Sequence, residues 1–271
     1  MTNTADTAPL TCDTFTLPTP FGSLFAKRWI PANAKPMTTP FLLFHDSLGS
    51  VDLWRDFPEL LAKATGRTVI AYDRLGFGQS DPLTQPIDPD FIAQEAERFI
   101  PLVCDFFQLE RFIAFGHSVG GGMAVHTAAQ HPQWCALLIT ESAQAVVEEL
   151  TRSGIREAET MFQDQKAFDR LARYHGERTQ WVLDAWINSW LSPDFDHWSL
   201  DAALPGVNCP TLVLHGEEDE YGSADQPQRI ADGVNGKVKL ELLPDIHHVP
   251  HRENPTLVLK KVCYFLENNP V

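Results

Sequence analysis

The feature that most constrains this 271-residue chain is a serine between two glycines, in the stretch Gly116-His117-Ser118-Val119-Gly120. A short apolar run, 111–115, precedes it, and a segment rich in small residues, 119–128, follows. The pattern G-x-S-x-G between a strand and a helix predicts a sharp turn that strains the serine backbone. Glycine is needed on either side because a Cβ atom there would collide with the turn. The Val119 amide then lies at a helix N-terminus, where it can donate to a developing oxyanion.

Apolar runs of strand length alternate with helical patterns on both sides of this turn. The runs are 41–44, 68–72, 111–115, 136–140, 210–214 and 238–242, and an edge hairpin is expected within 14–29. This alternation predicts an α/β fold with a doubly wound parallel sheet. Residues 143–203 instead collect tryptophans among charged residues, which predicts helices inserted on top of the sheet. The predicted division is a core over 12–142, a helical cap over 143–203 and the second part of the core over 204–271.

The net charge of the chain limits the classes of partner that it can bind, and its cysteines indicate the cellular compartment. The formal net charge is −15, and no basic stripe is present to meet phosphates, which argues against nucleic acid and anionic membranes as partners. The five cysteines are scattered without metal-ligand spacing and are expected to be reduced thiols. We expect a polar leader over residues 1–11, no signal peptide, a cytoplasmic location and a small-molecule substrate. A homodimer is compatible with the sequence.

Candidate partners for the serine follow later strands of the predicted sheet. A serine hydroxyl needs a base to accept its proton and a carboxylate to orient that base. Four carboxylates, 217–220, follow the run 210–214, and His247 and His248 follow the run 238–242. Such groups meet at the carboxyl ends of parallel strands. We assign His248 as the base, with His247 as its alternative, and Glu141 is a further candidate acid because it also follows a strand.

The loop after residues 41–44 is expected to complete an oxyanion hole. Its Ser47 amide is the expected second donor beside the Val119 amide. His45 is expected to brace this loop through hydrogen bonds. Aromatic residues of the cap are expected to line an apolar substrate pocket, although they fit a cap core equally well: Trp181, Trp186, Trp190 and Phe195.

With these residues in hand, the chain resembles the α/β-hydrolase superfamily over nearly its whole length. The matching segments are His45-Asp46-Ser47-Leu48-Gly49, Asp73-Arg74-x-Gly76-x-Gly78-x-Ser80, Gly116-His117-Ser118-Val119-Gly120-Gly121, His215-Gly216-x-x-Asp219 and His248-x-Pro250-x-x-Glu253-x-Pro255. The resemblance implies an eight-stranded, mostly parallel sheet with a helical cap. It also implies a triad of Ser118, His248 and Asp219 without a cofactor or a metal, and a structural role for the turn over 73–80.

Two residues depart from the pattern of that superfamily. Asp46 stands where the family usually has glycine, and a carboxylate near an oxyanion is unfavourable unless it points away. His247 likewise replaces the usual glycine before the catalytic histidine. Both departures lie next to residues that the resemblance assigns to the site.

The resemblance implies a serine hydrolase that cleaves a small carboxylic ester or a related acyl bond through an acyl-enzyme. Dehalogenases and epoxide hydrolases of this fold use an aspartate nucleophile, and Ser118 argues against both. A C–C bond hydrolase of the meta-cleavage-product type is the enzymatic alternative, although such enzymes typically have tryptophan where this chain has Val249. A non-catalytic small-molecule receptor on the same fold is the alternative of a different class.

Overall fold

The computed structural model describes residues 10–32, 34, 38–83, 85 and 87–271, so residues 1–9 of the expected leader lie outside the described residues. The strands are β1 Leu10–Thr19, β2 Gly22–Pro31, β3 Phe41–Phe44, β4 Val69–Tyr72, β5 Phe112–His117, β6 Cys135–Glu141, β7 Thr211–Gly216 and β8 Val238–Leu243. They form one sheet in the order β1-β2-β4-β3-β5-β6-β7-β8. The pairs β1–β2 and β2–β4 are antiparallel and the others are parallel, which confirms the predicted eight-stranded, mostly parallel sheet.

Helices follow the strands along the chain. They are α1 Phe57–Thr65, α2 Phe91–Gln94, α3 Ile100–Phe107, α4 Val119–Gln130, α5 Glu149–Met161, α6 Gln165–His175, α7 Thr179–Trp190, α8 Asp225–Gly233, α9 Pro250–Glu253 and α10 Pro255–Asn268. Pro58 lies in the first turn of α1, where its missing N–H leaves no intrahelical bond unmade. It therefore marks the start of this helix.

The parallel strands β3 to β7 are buried on both faces, and β3 shows why its residues form a continuous apolar run. All four of its side chains are buried. Leu42 and Phe44 join an apolar cluster on one face, together with side chains of α3, α4 and α8. Phe41 and Leu43 join a second cluster on the other face, with side chains of α1 and α10. A strand covered on both faces has no position at which a polar side chain would be solvated.

Helices α5, α6 and α7 lie between β6 and β7 in the chain, in the segment predicted to be a cap. Leu171 and Leu183 belong to the same apolar cluster as the helices that cover the sheet. The Thr151 hydroxyl of α5 donates a hydrogen bond of 2.6 Å to the Tyr221 carbonyl oxygen beyond β7. These helices therefore share a core with the sheet, and the boundaries at residues 143 and 203 stay predictions.

The turn over residues 73–80 is held by the side chains of its two ends. The Asp73 carboxylate accepts hydrogen bonds from the Val51 and Gln79 amides at 2.5 and 2.7 Å. The Ser80 hydroxyl donates to the Asp73 carbonyl oxygen at 2.6 Å. Gly78 has a φ of +51°, and a Cβ atom added to it would lie 2.1 Å from Asp73 Oδ2. These contacts agree with the structural role that the resemblance implied.

We expect Gly78→Ala to lower the free energy of unfolding, because it adds both backbone strain and a clash with Asp73. Strain at a positive φ costs on the order of 1–3 kcal/mol, and the clash adds to that cost. The matched control is Gly176→Ala, because Gly176 has a φ of +59° but nothing within 4 Å of an added Cβ atom. Urea unfolding should give a lower midpoint for Gly78→Ala than for the control, and equal midpoints would contradict the clash.

Candidate active site

The turn between β5 and α4 holds Ser118 in the strained conformation that the motif predicts. Ser118 has φ 54° and ψ −125°, and α4 begins at the next residue. A Cβ atom on Gly116 would lie 2.1 Å from the Gly120 carbonyl oxygen. One on Gly120 would lie 2.1 Å from the Phe44 carbonyl oxygen at the end of β3. Glycine is therefore required at both positions by the close approach of backbone atoms.

The structure brings Ser118, His248 and Asp219 into one chain of hydrogen bonds. The Ser118 hydroxyl lies 3.0 Å from His248 Nε2. His248 Nδ1 lies 2.9 Å from both carboxylate oxygens of Asp219. All three side chains are buried. This is the geometry in which a hydroxyl can pass its proton to an imidazole that a carboxylate orients.

The Asp219 carboxylate is held by its own loop as well as by His248. Its Oδ1 accepts hydrogen bonds from the Tyr221 and Gly222 amides at 2.8 and 3.2 Å. Burial alone would raise the pKa of Asp219, but the neighbouring His248 and these amides lower it below its ordinary value. Asp219 is therefore ionised near neutral pH and can stabilise a positive charge on His248.

The alternative acid and the alternative base lie in other contacts. Glu141 accepts a hydrogen bond of 2.5 Å from His251 Nδ1. His247 is 60% exposed and its Nδ1 lies 3.1 Å from a carboxylate oxygen of Glu253, which raises the pKa of His247. The structure thus brings His248 rather than His247 to Ser118, and Asp219 rather than Glu141 to His248.

The loop after β3 is braced around the carbonyl oxygen of Asp46. This oxygen accepts hydrogen bonds from His45 Nδ1 at 2.8 Å and from Arg74 Nη2 at 2.9 Å. His45 Nε2 in turn accepts from the Arg74 amide at 3.1 Å. Burial lowers the pKa of His45 well below its ordinary value, so the ring is neutral, with its proton on Nδ1. The predicted bracing hydrogen bonds of His45 are present, and with Arg74 they tie the loop that carries the Ser47 amide to the turn after β4.

A cavity of about 110 Å³ opens beside Ser118 and His248. Its other lining residues are Asp46, Ser47, Leu48, Gln144, Thr151, Ile155, Trp186, Trp190 and Tyr221. Ser47 thus lines the same cavity as Ser118, and Val119 directly follows Ser118 in the chain, as expected for the two oxyanion donors. Leu48, Ile155, Trp186 and Trp190 make most of the lining surface apolar, so the cavity suits a small apolar group next to a reacting centre.

One of the three predicted substrate-binding tryptophans lies elsewhere. Trp186 and Trp190 line the cavity, but Trp181 packs on Gly76 and Phe77, with its ring centroid 5.5 Å from that of Phe77. The reason is the direction of each side chain about the axis of α7. Trp181 lies five residues before Trp186, so the two side chains point about 140° apart. Trp190 lies four residues after Trp186, so those two side chains point only about 40° apart and share a face of the helix. Phe195 is buried between Trp190 and Trp198 and forms cap core.

Two residues of the site were not anticipated from the sequence. Gln144 Oε1 lies 3.4 Å from the Ser118 hydroxyl, and the Tyr221 ring lies 4.8 Å from the His248 ring. Burial raises the pKa of Tyr221 to about 12, so its phenol is neutral. Their positions in the sequence could have identified them as site residues, because Gln144 follows the end of β6 and Tyr221 follows Asp219 by two residues.

Three buried side chains, His117, Glu141 and His251, lie close together behind the triad. Their contacts are hydrogen bonds, because His251 donates to Glu141 and His117 Nε2 lies 2.8 Å from the His248 carbonyl oxygen. We assign no metal to them, and the predicted independence from metals and cofactors stays a prediction.

Comparison with protein-family models gives one match, to the α/β-hydrolase fold family over residues 39–178. The chain belongs to this family. That span is more than half of the chain and includes Ser47, Ser118 and all of β3–β6. The predicted superfamily is confirmed.

Several hydrolases are similar to this chain at 26–28% sequence identity. Serine hydrolase BPHL of Homo sapiens is 28% identical over 196 residues, which are 68% of this chain and 64% of that protein. The match thus spans less than two thirds of that relative. The 2-hydroxymuconate semialdehyde hydrolase of Pseudomonas sp. (strain CF600) is 27% identical over 220 residues, 72% of this chain and 75% of that one. The bifunctional esterase/perhydrolase DCH of Acinetobacter calcoaceticus is 26% identical over 250 residues, 81% and 84% of the two chains.

Among solved structures, the proline iminopeptidase of Mycobacterium smegmatis superposes with a TM-score of 0.72 at 22% identity, over 95% of this chain and 98% of that one. This likeness supports the fold.

Within the described residues, no helix combines the length and the hydropathy needed to cross a membrane. The cytoplasmic location and the homodimer stay predictions.

The two candidate acids can be separated by substitution. We expect Asp219→Asn to slow labelling of Ser118 by a fluorophosphonate by about 10⁴-fold, because His248 loses the carboxylate that orients it. Glu141→Gln should label within a few-fold of the unmodified protein, because Glu141 contacts His251 and not His248. The reverse order of the two rates, measured by gel fluorescence over time, would contradict this assignment.

Proposed function

We propose that this protein is a serine hydrolase that cleaves small carboxylic esters through an acyl-enzyme intermediate. The observation that carries the proposal is the hydrogen-bonded series of Ser118, His248 and Asp219 beside a small, mainly apolar cavity. The named esterase and serine hydrolase relatives support it. The small cavity volume, about 110 Å³ against roughly 300–1,000 Å³ for pockets that hold drug-sized ligands, favours a short acyl group.

In the proposed mechanism, His248 Nε2 accepts the Ser118 proton while the Ser118 oxygen attacks the ester carbonyl carbon. Asp219 stabilises the imidazolium that forms. The negative charge on the former carbonyl oxygen is met by the Ser47 and Val119 amides. His248 then gives its proton to the leaving alcohol, and water attacks the acyl-enzyme by the same route to release the acid.

The enzymatic alternative is hydrolysis of a C–C bond in a meta-cleavage product. It is supported by the similarity to 2-hydroxymuconate semialdehyde hydrolase. An ultraviolet assay with that ring-fission product as substrate, run beside p-nitrophenyl esters, separates the two activities. Turnover of the ring-fission product that exceeds ester turnover would favour this alternative, and saturable ligand binding without any turnover would favour a receptor.

The proposed roles of serine and histidine are tested together. Ser118→Ala should abolish both fluorophosphonate labelling and p-nitrophenyl acetate hydrolysis above background. His248→Gln should lower kcat by about 10²- to 10⁴-fold, because it removes the imidazole that lies 3.0 Å from the Ser118 hydroxyl and accepts its proton. The control is His247→Gln, which removes an exposed neighbour and should leave kcat within about twofold. Labelling that persists in Ser118→Ala would place the nucleophile elsewhere.

The proposed acyl pocket is tested by a pair of tryptophan substitutions on α7. Trp186→Ala should raise kcat/KM for a hexanoyl ester relative to an acetyl ester by roughly tenfold or more, because it removes one wall of the cavity. Trp181→Ala is the matched control, because Trp181 packs on Gly76 and Phe77 and should leave that ratio unchanged. Equal ratios in both variants would exclude this cavity as the acyl site.

A further inference from the structure

Asp46, the residue that departs from the family pattern beside the expected oxyanion donor, has a specific buried partner. Its side chain is only 21% exposed, and Oδ2 lies 3.4 Å from Nδ1 of His117, which is almost fully buried. Its main chain precedes the Ser47 amide directly. The carboxylate therefore faces His117, and both residues border a second, smaller cavity.

The contacts of His117 favour a positive charge on its ring. Nε2 lies 2.8 Å from the His248 carbonyl oxygen, which is a hydrogen bond, and Nδ1 lies 3.4 Å from the Asp46 carboxylate, which is the distance of an ion pair. The imidazolium form places a proton on both nitrogens and so satisfies the carbonyl oxygen and the carboxylate together.

The other titratable and charged groups around His117 act in both directions. Glu141, which accepts a hydrogen bond from His251, favours the charged ring of His117. Arg252 on the same small cavity, and a positive charge on the His248 ring 5.2 Å away, would oppose it. Burial lowers the pKa of His117, but the Asp46 carboxylate and then Glu141 raise it above its ordinary value overall. Burial raises the pKa of Asp46, but His117 and then Arg252 lower it well below its ordinary value.

We propose that Asp46 and His117 form a buried positioning pair. The pair ties two loops to the turn that carries Ser118: the loop after β3 that carries Ser47 (the oxyanion loop) and the loop after β8 that carries His248 (the His248 loop). This inference rests on the proposed hydrolase function. His117 belongs to that turn by its main chain, contacts the oxyanion loop through Asp46, and holds the His248 loop by its carbonyl oxygen. His45 and Arg74 hold the Asp46 carbonyl oxygen from the other side.

The charge of His117 also makes the Asp46 carboxylate compatible with catalysis. An uncompensated carboxylate one residue from Ser47 would oppose the negative charge that develops on the oxyanion. With His117 protonated, the pair is neutral overall and its field at the oxyanion is small. Neither residue touches the reacting atoms in this scheme, and both act through Ser47 and His248.

The pair is tested first by a double-mutant cycle on p-nitrophenyl ester hydrolysis. His117→Gln alone should lower kcat at least tenfold with KM within about twofold, because it leaves the Asp46 carboxylate without its counter-charge. The double variant Asp46→Asn/His117→Gln should recover part of that loss, because the unpaired carboxylate is gone, but should stay below the unmodified protein, because the tie between the loops is gone as well. Asp201→Asn, at an exposed ion pair with Arg229, is the control and should leave kcat unchanged. A double variant no more active than His117→Gln would overturn the proposal.

The dependence of kcat on pH distinguishes a charged pair from an uncharged structural contact, because only the charged pair loses its effect when His117 loses a proton. In the unmodified protein kcat should fall as pH rises through the raised pKa of His117, because the imidazolium then loses its proton. Asp46→Asn should lack this decline, because without the carboxylate burial lowers the pKa of His117 and the ring stays neutral. The same decline in both proteins would contradict the pair.

Ring ¹⁵N shifts of His117 test the charge without relying on turnover. At pH 6, below the ordinary pKa of histidine, both ring nitrogens should be protonated in the unmodified protein, and one should be unprotonated in Asp46→Asn. A neutral His117 ring in the unmodified protein would overturn the pair even if no ester is hydrolysed. Absence of ester turnover together with a protonated His117 would instead contradict the proposed function alone.

Discussion

The close approach of the β5–α4 turn to the end of β3 is the constraint on which the rest of the site depends. β3 and β5 are neighbouring parallel strands, with Phe44 paired to Gly116. The turn can lie against the Phe44 carbonyl oxygen only because Gly120 has no side chain there. The serine and the loop of the expected oxyanion donor therefore leave the sheet side by side. The proposed chemistry follows from this contact, since an attacking oxygen is useful only where amides meet the charge that it creates.

Much of the fold was predictable because strands that are buried on both faces of a parallel sheet consist of continuous apolar runs. The run 41–44 coincides with β3, and Val238–Leu243 differs from its predicted run by one residue. The candidate triad was predictable for a related reason. Each of its members follows the end of a strand, Ser118 directly and Asp219 and His248 a few residues later, and parallel strands bring such positions to one edge of the sheet. Strand order thus carries long-range information that no single motif holds.

The contacts that were not predictable depend on side-chain direction or on distant segments. Trp181 faces Phe77 because of its rotation about α7, which a count of aromatic residues does not reveal. Gln144 reaches Ser118 from the loop after β6, a segment with no motif of its own. Asp46 appeared unfavourable beside an oxyanion because its partner, His117, is 71 residues away in the chain. The cost of a buried charge is decided by its neighbours in space, and the local sequence does not contain them.

Ser118 is proposed to react as a nucleophile, with the Ser47 and Val119 amides binding the oxyanion. A crystal structure of the protein after reaction with a small fluorophosphonate is the sharpest test of this proposal. We expect a phosphonyl group bonded to the Ser118 oxygen, with one phosphonyl oxygen about 2.7–3.1 Å from the amide nitrogens of both Ser47 and Val119. An adduct on another residue, or a phosphonyl oxygen turned away from both amides, would contradict it.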